Sequence, residues 1–413
     1  MKILLYGLNY APEPVGIGKY SGELAKWLCA QGHQIRVITA PPYFPAWRVS
    51  PGFLNCYGIE VDEGVKIYRC PIWVPRRPRG ITRLLHLASF ALSSLGPLLA
   101  QCFWTPDVVI TVAPAVFCAP GTLLLGSLCG EQTNTWLHIQ DFELDAAFEL
   151  GLLKGQLLRS LAEAWERSTL RRFTRVSSIS NSMVSRLGVK GVQLSHTYKF
   201  PNWVDLNLIY PQSNHYRDDN SYRRELNIAS DQLVLMYSGS MNKKQGLDLL
   251  VRVIHQLSDI PHLTWLLAGE GPTKAELVSA TQGLSQVRHL PLQPLERMND
   301  WLNVADIHLL PQKAEAADLV LPSKLLGILA SGRPVVATST PGSELACIAD
   351  EAGFCVNPGD VDTFSTRIRS LISDSQLRSR LGTQARNIAV NSLDKNTILR
   401  RFEEQLLLLS KNG

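Results

Sequence analysis

A short stretch of the C-terminal half combines a hydroxyl, a lysine and a predicted helix start. It begins Leu319-Val-Leu-Pro-Ser-Lys-Leu-Leu, and its apolar residues recur at helical spacing until a glycine. We expect Pro322 at the first helical position, because a proline has no N–H group to lose there. The first N–H groups, those of Ser323, Lys324 and Leu325, would then bind an anion together with the lysine and serine side chains. A solvated Ser-Lys pair on a packing helix is the other interpretation of this stretch.

Two further turns between strands and helices offer glycines and lysines. Residues 238–246 are Ser-Gly-Ser-Met-Asn-Lys-Lys-Gln-Gly, and residues 268–272 are Ala-Gly-Glu-Gly-Pro. Lysine supplies a point charge for a diphosphate, and glycine lets the backbone approach it. Each turn alone is commonly just a turn, but three such turns at one sheet edge favour a diphosphate site. The candidate residues in these two turns are Gly239, Ser240, Lys244, Gly269 and Glu270.

The N-terminal half contains a weaker loop candidate. Residues 9–19 form a loop between a strand and a helix, with the sequence Asn-Tyr-Ala-Pro-Glu-Pro-Val-Gly-Ile-Gly-Lys. Gly16 and Gly18 would let the backbone approach a ligand closely. The loop matches neither GxGxxG nor the Walker A pattern. A plain glycine-rich turn is therefore an equally good interpretation.

A strand of the same half ends in polar residues. The sequence from position 135 is Thr-Trp-Leu-His-Ile-Gln-Asp, and the carboxyl ends of strands in open α/β sheets are where ligands bind. His138, Gln140 and Asp141 are therefore site candidates. A core histidine with satisfied hydrogen bonds is the competing interpretation of His138.

One acidic pair resembles a metal-binding DxD motif. Asp360 and Asp362 follow a Pro-Gly pair at a predicted helix start. Aspartate is a common cap at that position. We therefore predict a helix cap and no metal site.

Strands and helices alternate along both halves, which predicts an α/β protein with parallel sheets. Residues 210–222 are polar and aperiodic, as linkers are. We expect two doubly wound, Rossmann-like domains with a cleft between them. Predicted strands cover 2–8, 34–40, 65–74, 107–113, 135–140 and 175–180, then 232–240, 263–271, 287–292, 306–311, 334–339 and 353–357.

Size and composition limit the class of protein. At 413 residues the chain is too long for one core. A net charge of +5 is too small an excess to indicate nucleic-acid binding, so no nucleic-acid partner is expected. The eight cysteines show no CxxC spacing, which predicts buried, reduced thiols in a cytoplasmic enzyme. The N-terminus enters a strand directly, so no signal peptide is expected.

A long apolar segment covers 84–104, and His86 is its one residue among His, Lys, Arg, Asp and Glu. Its length permits a membrane span, but its serines and a Gly-Pro pair favour a buried or half-buried helix. A helix on a membrane surface is the other alternative, because basic residues crowd the preceding segment beside Trp73. Those basic residues are Arg76, Arg77, Arg79 and Arg83.

Taken in order, these motifs resemble those of a known family. Val15-Gly-Ile-Gly-Lys-Tyr, the two glycine turns and Pro322-Ser-Lys-Leu-Leu-Gly-Ile-Leu-Ala-Ser-Gly-Arg-Pro-Val are similar to segments of the retaining GT-B-fold glycosyltransferases, the glycosyltransferase group 1 family. Leu137-His-Ile-Gln-Asp-Phe-Glu-Leu-Asp and Phe200-Pro-Asn-Trp-Val-Asp most resemble its colanic acid biosynthesis branch. The resemblance covers nearly the whole chain.

The resemblance implies three segments. Residues 1–203 would form an acceptor-binding domain, residues 204–390 would hold a nucleotide-sugar donor, and residues 391–413 would cross back to the first domain. Lys244 matches a lysine that holds the donor diphosphate, and His138 matches a histidine near the transferred sugar. The donor-binding candidates are Gly16, Gly18, Gly239, Ser240, Lys244, Gly269, Glu270, Leu321, Pro322, Ser323 and Lys324, with His138 and Lys244 as catalytic residues and Gln140 and Asp141 on the acceptor side.

The chain departs from the family at one pair of positions. Many members carry two glutamates, for the sugar and the ribose, where this chain has Leu319 and Gly327. Ser240 also stands where the family often has arginine. These differences bear on sugar recognition, and Lys324 would take over part of the phosphate or ribose binding.

The implied activity is retaining transfer from a GDP- or UDP-sugar to a lipid-linked or oligosaccharide acceptor in exopolysaccharide synthesis. No cofactor and no metal are expected. The enzyme would be cytoplasmic, with a possible peripheral contact to an anionic membrane surface. A nucleotide-sugar 2-epimerase and a non-catalytic nucleotide-sugar-binding subunit are the alternatives.

Overall fold

The chain forms two compact α/β units. The computed structural model describes residues 1–76, 80–113, 117–130, 132–142, 144–145, 148, 155–212, 219–314 and 322–411. The first unit comprises Met1–Pro201 with Leu399–Gly413, and the second comprises Asn202–Ile398. The predicted α/β class with two doubly wound sheets is confirmed.

The first unit is built on an eight-stranded sheet in the order β3-β4-β2-β1-β5-β6-β7-β8. The β3–β4 pair is antiparallel and the other pairs are parallel. Its central strand β5 is buried along its whole length, as expected of a parallel sheet covered on both faces. The strands are β1 Lys2–Tyr6, β2 Gln34–Thr39, β3 Gly58–Asp62, β4 Val65–Arg69, β5 Val108–Ala113, β6 Asn134–Ile139, β7 Arg175–Ser178 and β8 Thr197–Lys199.

Helices connect these strands. In the first of them, Tyr20, Leu24 and Leu28 recur every fourth residue and are buried, which gives it one apolar face. The described helices of this unit are α1 Ile17–Ala30, α2 Ile81–Leu99, α3 Ala119–Cys129, α4 Gln156–Leu170 and α5 Asn181–Val189, with a 3₁₀ turn at Ala100–Phe103.

The second unit has a six-stranded parallel sheet in the order β11-β10-β9-β12-β13-β14. Its strands are β9 Leu233–Ser238, β10 Leu263–Ala268, β11 Val287–Leu290, β12 Ile307–Leu310, β13 Val335–Thr338 and β14 Gly353–Val356. Its helices are α6 Ser221–Glu225, α7 Leu247–Gln256, α8 Lys274–Ala280, α9 Met298–Val304, α10 Ser323–Ala330, α11 Glu344–Ala352, α12 Val361–Ser373 and α13 Ser375–Ile388.

The final helix, α14 Lys395–Lys411, begins in the second unit and continues into the first at Leu399. There the Phe402 ring stacks on Phe200 with a centroid distance of 3.9 Å. It also meets Trp136 edge-on at 4.8 Å. The helix therefore supplies part of the core of the first unit.

Three local expectations were wrong. The strand predicted for 65–74 ends at Arg69, where Pro71 interrupts the ladder. The predicted linker 210–222 already contains the start of α6, which Asn220 caps by accepting from Tyr222 and Arg223 N–H. All eight cysteines are free as predicted, but Cys56 and Cys347 are exposed.

Candidate functional site

Two of the predicted anion turns lie side by side at the carboxyl ends of β9 and β10. The Gly239 N–H donates to the Ala268 carbonyl at 2.9 Å, and the Met241 N–H donates to the Glu270 carbonyl at 2.8 Å. Gly269 has a φ of +156°, and a Cβ there would collide with the Gly239 carbonyl. The two turns therefore pack backbone against backbone, and this contact requires glycine at 269.

Lys324, in the first turn of α10, reaches the β9 turn. Its Nζ atom donates to the Gln245 Oε1 atom at 2.6 Å and lies 3.2 Å from the Tyr237 hydroxyl. A Cβ built on Gly239 would lie 3.3 Å from the same Nζ atom. The start of α10 is thus joined to the turn after β9 by the Lys324 side chain, and both lie in the second unit.

The Lys324 ammonium is held away from water. It lies 4.3 Å from the centre of the Tyr237 ring, which favours the cation. Burial nevertheless lowers the pKa of Lys324 to about 7, because desolvation disfavours the charged form. An anion bound beside this side chain would raise its pKa again.

The start of α10 differs from the prediction in one detail. Pro322 is the cap residue, with extended backbone angles, and Ser323 is the first helical residue. The Leu325 N–H donates to the Pro322 carbonyl at 3.0 Å. Within the described residues, the N–H groups of Ser323 and Lys324 remain available for an anion at this helix start, fewer than predicted. Leu321 lies outside the described residues.

The other predicted residues of these turns differ in their surroundings. Lys244 is exposed, and no partner of its ammonium lies within the described part of the chain. The Ser240 hydroxyl accepts from the Asn242 side chain at 3.0 Å. Glu270, in the loop before α8, is paired with Lys274 at 2.6 Å. Lys244 is thus an exposed cation, and Lys324 is a sheltered one.

Gly327 faces Leu302. A Cβ at this position would lie 3.0 Å from the Leu302 Cδ1 atom, so a longer side chain would have to displace that leucine. Glycine at position 327 therefore lets α10 pack closely against α9. It supplies no carboxylate that could bind a ribose. Leu319 and the nearby acids Glu315 and Asp318 lie outside the described residues.

In the first unit, Gly16 caps α1 with a φ of +67°, a conformation that favours glycine. A Cβ on Gly18 would lie 2.6 Å from the Glu13 Cβ atom, so glycine leaves room for this glutamate. Both predicted glycines are therefore explained by the path of the loop itself. Glu13 was not among the predicted site residues, although it stands among the prolines and glycines of the predicted loop.

Glu13 is a buried carboxylate that joins two loops. Its Oε1 atom accepts from the N–H groups of Tyr43 and Phe44 at 3.2 and 3.0 Å, and its Oε2 atom accepts from Asn9 at 2.9 Å. Burial raises the pKa of Glu13, and these hydrogen bonds oppose the rise. Arg69 also ties the same region together by donating to Ala11 and Ala40 carbonyls.

His138, at the end of β6, is 4% exposed. Its Nδ1 atom lies 2.9 Å from the Ser177 hydroxyl, and its Nε2 atom lies 3.0 Å from the Gln140 amide nitrogen. Burial lowers the pKa of His138 to about 3, so the ring is neutral at physiological pH. Both ring nitrogens have protein partners, which matches the interpretation as a satisfied core histidine. Gln140 is buried beside it, and Asp141 is exposed.

Asp360 is a helix cap, as predicted. Its side chain accepts from the Thr363 N–H at 3.0 Å, and these hydrogen bonds lower the pKa of Asp360. The Asp362 carboxylate accepts from Gln256 at 3.0 Å. Among the described residues, no group of three or more His, Cys, Asp or Glu side chains is arranged to hold a metal ion.

Helix α2 is half-buried, as predicted. Ser94 hydrogen-bonds the Tyr6 hydroxyl at 2.7 Å on the packed face, whereas Leu92 is 75% exposed on the other. The segment Ile81–Phe103 is long and apolar enough to cross a membrane, with 33% of its most apolar window buried. Core helices of soluble proteins can have the same length and composition.

The comparisons with known proteins agree with the fold and with the order of the motifs. A glycosyl transferase 4-like domain model matches residues 15–203, and a glycosyl transferases group 1 model matches residues 232–374. The chain is 41% identical over 411 residues to a protein of Escherichia coli (strain K12) named as a colanic acid biosynthesis glycosyl transferase, WcaI, covering 97% of this chain and 98% of that one. It is 22% identical to N-acetyl-alpha-D-glucosaminyl L-malate synthase of Bacillus anthracis, over 99% of each chain.

Solved structures share the fold at low identity. Sucrose-phosphate synthase from Thermosynechococcus elongatus matches with a TM-score of 0.77 over 100% of both chains, at 16% identity. Anabaena HepE in complex with UDP-glucose matches with a TM-score of 0.68 over 98% of this chain and 99% of that one, at 15% identity. Two doubly wound units of this kind form the GT-B fold. The chain belongs to the glycosyl transferases group 1 family.

Proposed function

We propose that this glycosyltransferase retains anomeric configuration, uses a nucleoside-diphosphate sugar and needs no bound metal. The observation that carries the proposal is the position of Lys324 against Gly239, with the Nζ atom on Gln245 at 2.6 Å. A diphosphate at this sheet edge would meet the sheltered Lys324, the N-terminus of α10 and the exposed Lys244. Fixed cations and N–H groups of this kind stabilise charge as it develops on a leaving group.

The proposed reaction requires no protein nucleophile. The bond between the sugar C1 atom and the diphosphate oxygen breaks, and the acceptor hydroxyl attacks C1 from the same face. The hydroxyl proton passes to the leaving phosphate oxygen. Lys324 and Lys244 would stabilise the negative charge on that phosphate, and the first N–H groups of α10 would add to this effect. His138, neutral and buried with both ring nitrogens hydrogen-bonded, would contribute shape at the carboxyl end of β6 and hold Gln140 in place.

The donor and acceptor are proposed from chemistry and from relatives. HepE was solved with UDP-glucose, and WcaI is named for colanic acid biosynthesis. The HepE complex supports a UDP-sugar donor, and the WcaI name supports a role in the synthesis of an exopolysaccharide. A GDP-sugar is the alternative donor that we propose, and a lipid-linked saccharide is the acceptor that we propose. In this proposal Gln140 and Asp141, at the carboxyl end of β6, lie on the acceptor side.

The proposed location is the cytoplasm, with peripheral contact to an anionic membrane. Ile81, Leu85 and Leu92 of α2 are 71, 54 and 75% exposed, and Trp73 is 47% exposed. Arg76 precedes this helix and Arg83 lies within it, while Arg77 and Arg79 lie outside the described residues. Exposed apolar groups beside basic ones are typical of helices that lie in a membrane interface. Each basic residue near an anionic surface contributes about 1 kcal/mol.

Turnover tests the proposal directly. The purified protein would be incubated with UDP- and GDP-sugars and a polyprenyl-diphosphate-linked saccharide extract, and the anomeric configuration of the product read by NMR. We expect an α-linked product from an α-linked donor. An inverted product would overturn retention, an epimerised free donor would indicate the 2-epimerase alternative, and tight donor binding without turnover would indicate a non-catalytic subunit.

A further inference from the structure

Three aromatic side chains form a cluster at the carboxyl edge of the first sheet. Tyr43 and Trp47 lie on the loop after β2, and His86 lies on α2. The His86 ring centre is 4.9 Å from that of Tyr43 and 5.3 Å from that of Trp47. The Tyr43 and Trp47 rings are 5.7 Å apart and meet edge-on. We refer to these three residues as the aromatic cluster.

His86 has an unused hydrogen-bonding atom inside this cluster. The side chain is 1% exposed, and its Nδ1 atom lies 2.7 Å from the Trp73 carbonyl. A carbonyl can only accept, so Nδ1 carries the proton. Burial lowers the pKa of His86, which keeps the ring neutral and leaves Nε2 as an acceptor. No donor to Nε2 lies within the described part of the chain.

A buried acceptor without a donor destabilises the folded protein, and each such case needs an explanation. Trp47 is the half-buried member of the cluster, and its φ of +51° is uncommon for a bulky residue. Backbone conformations of this kind concentrate at sites that bind or move. Trp47 therefore packs beside the ring that carries this buried acceptor atom, and its own backbone is held in a strained conformation.

The cluster adjoins the glycine loop of the first unit. The Phe44 ring lies 3.7 Å from the place a Cβ would occupy on Gly16. The Glu13 carboxylate binds the N–H groups of Tyr43 and Phe44, which fixes the loop after β2 against the loop after β1. A ligand on the cluster would thus lie beside the Gly16–Gly18 loop, at the edge of the sheet where ligands bind.

We propose that Trp47 and His86 form a binding subsite for a saccharide ring of the acceptor. This inference rests on the proposed function. The apolar face of the sugar packs on the Trp47 indole. Ligand pockets commonly combine aromatic side chains of this kind with a few polar groups that fix the orientation of the ligand. A sugar hydroxyl donates to His86 Nε2 once the indole moves aside. The hydroxyl supplies the hydrogen bond that this nitrogen lacks in the free protein.

Saturation-transfer NMR with methyl glycosides and octyl glucoside tests the subsite without requiring turnover. We expect saturation of the sugar ring protons by the unmodified protein, and its loss in Trp47→Ala and in His86→Phe. Trp165→Ala is the matched control, because Trp165 is a partly exposed tryptophan of α4 outside the cluster, and it should retain the effect. Equal saturation in all variants, or saturation of the octyl chain alone, would overturn the proposal.

Kinetics supply the second readout. If transfer to a saccharide acceptor is established, Trp47→Ala should raise the acceptor KM about tenfold, which corresponds to about 1.4 kcal/mol. The donor KM should stay unchanged. A raised donor KM with an unchanged acceptor KM would contradict the subsite. If the protein fails to transfer a sugar, the proposed function is wrong, but the NMR experiment still tests the subsite, because methyl glycosides bind without a donor.

Discussion

The Lys324 Nζ atom lies 4.3 Å from the centre of the Tyr237 ring, so the first turn of α10 and the end of β9 meet at one cation. The ring favours the charged form, while the low polarity around it favours the neutral one. The same atom lies 3.3 Å from the place that a Cβ would occupy on Gly239, so the lysine side chain packs directly on the backbone of this turn. The proposed diphosphate site therefore has a sheltered cation whose charge depends on what binds next to it.

Lys244→Ala should lower kcat by about 10²–10³, because a preorganised cation stabilises charge that grows on the leaving phosphate. The donor Kd should change less than kcat, since part of that charge appears only in the transition state. Steady-state kinetics measure kcat, and titration with the donor measures its Kd. Lys243→Ala is the matched control, as Lys243 is an exposed neighbour in the same turn. Equal losses in both variants would contradict a specific role for Lys244.

Lys324→Met should change the pH dependence of stability. The pKa of Lys324 is about 7 in the folded protein, below the usual value of 10.5. The unfolded chain therefore binds the proton more tightly than the folded one. Below pH 7 Lys324 is charged in both states, so the cost of burying its charge lowers the free energy of unfolding by the largest amount there. As pH rises from 7 towards 10.5, the unmodified protein should gain stability that Lys324→Met does not.

Urea unfolding at pH 6.5, 8 and 9.5 measures this difference between the two proteins. Lys244→Met serves as a control, because the same substitution there removes an exposed lysine of the proposed site. The change in pH dependence should be confined to Lys324→Met. A parallel curve for Lys324→Met as well would mean that the Lys324 ammonium is not desolvated.

Transfer should survive EDTA, and Asp360→Ala should leave kcat nearly unchanged. The Asp360 carboxylate caps α12 through the Thr363 N–H, so its loss should lower Tm without touching the reaction. Donor turnover is measured with and without chelator, and Tm by calorimetry. Loss of activity in EDTA that Mg²⁺ or Mn²⁺ restores would show a metal requirement and reopen the role of Asp360 and Asp362.

Glu13→Ala should destabilise the first unit. Removing the carboxylate leaves the buried N–H group of Tyr43 without its acceptor, at about 1–3 kcal/mol, and the partly buried N–H group of Phe44 adds a smaller loss. Glu13→Gln keeps one acceptor oxygen and should lose much less. Urea unfolding of both variants measures the free energies. Equal losses would indicate that the negative charge matters more than the hydrogen bonds.

Membrane association should be reversible. Salt and alkaline washes are expected to release the protein from membranes, because the exposed face of α2 is only one side of a packed helix. Leu85→Gln with Leu92→Gln should reduce binding to anionic vesicles, since both side chains are more than half exposed. Release by detergent alone would mean that Ile81–Phe103 spans the membrane.

The fold could be predicted from sequence because both sheets are parallel and their strands are apolar runs. β5 and β10 are buried at every position, and such runs stand out between turn residues. β3 was missed because it is an exposed edge strand with no such run. α11 was missed although Ser343 caps it, since its apolar positions are mostly small alanines.

The site could be predicted only in part. The glycines and lysines of the turns were visible, because their chemistry is local. The contact between Lys324 and Tyr237 joins residues far apart in the sequence, and no spacing rule links them. The burial of Glu13 depends likewise on the loop after β2. Pairings of this kind arise from the sheet order, which a single sequence does not specify.

The last helix has a consequence for dissecting the enzyme. A fragment ending at Pro201 would lack Phe402, leaving the faces of Phe200 and Trp136 open to water. Such a fragment would be prone to self-association through that apolar surface. A circular permutation that places residues 399–411 ahead of Met1 would return the missing side chain to the same polypeptide. Independent expression of the first unit thus calls for rearranging the gene rather than shortening it.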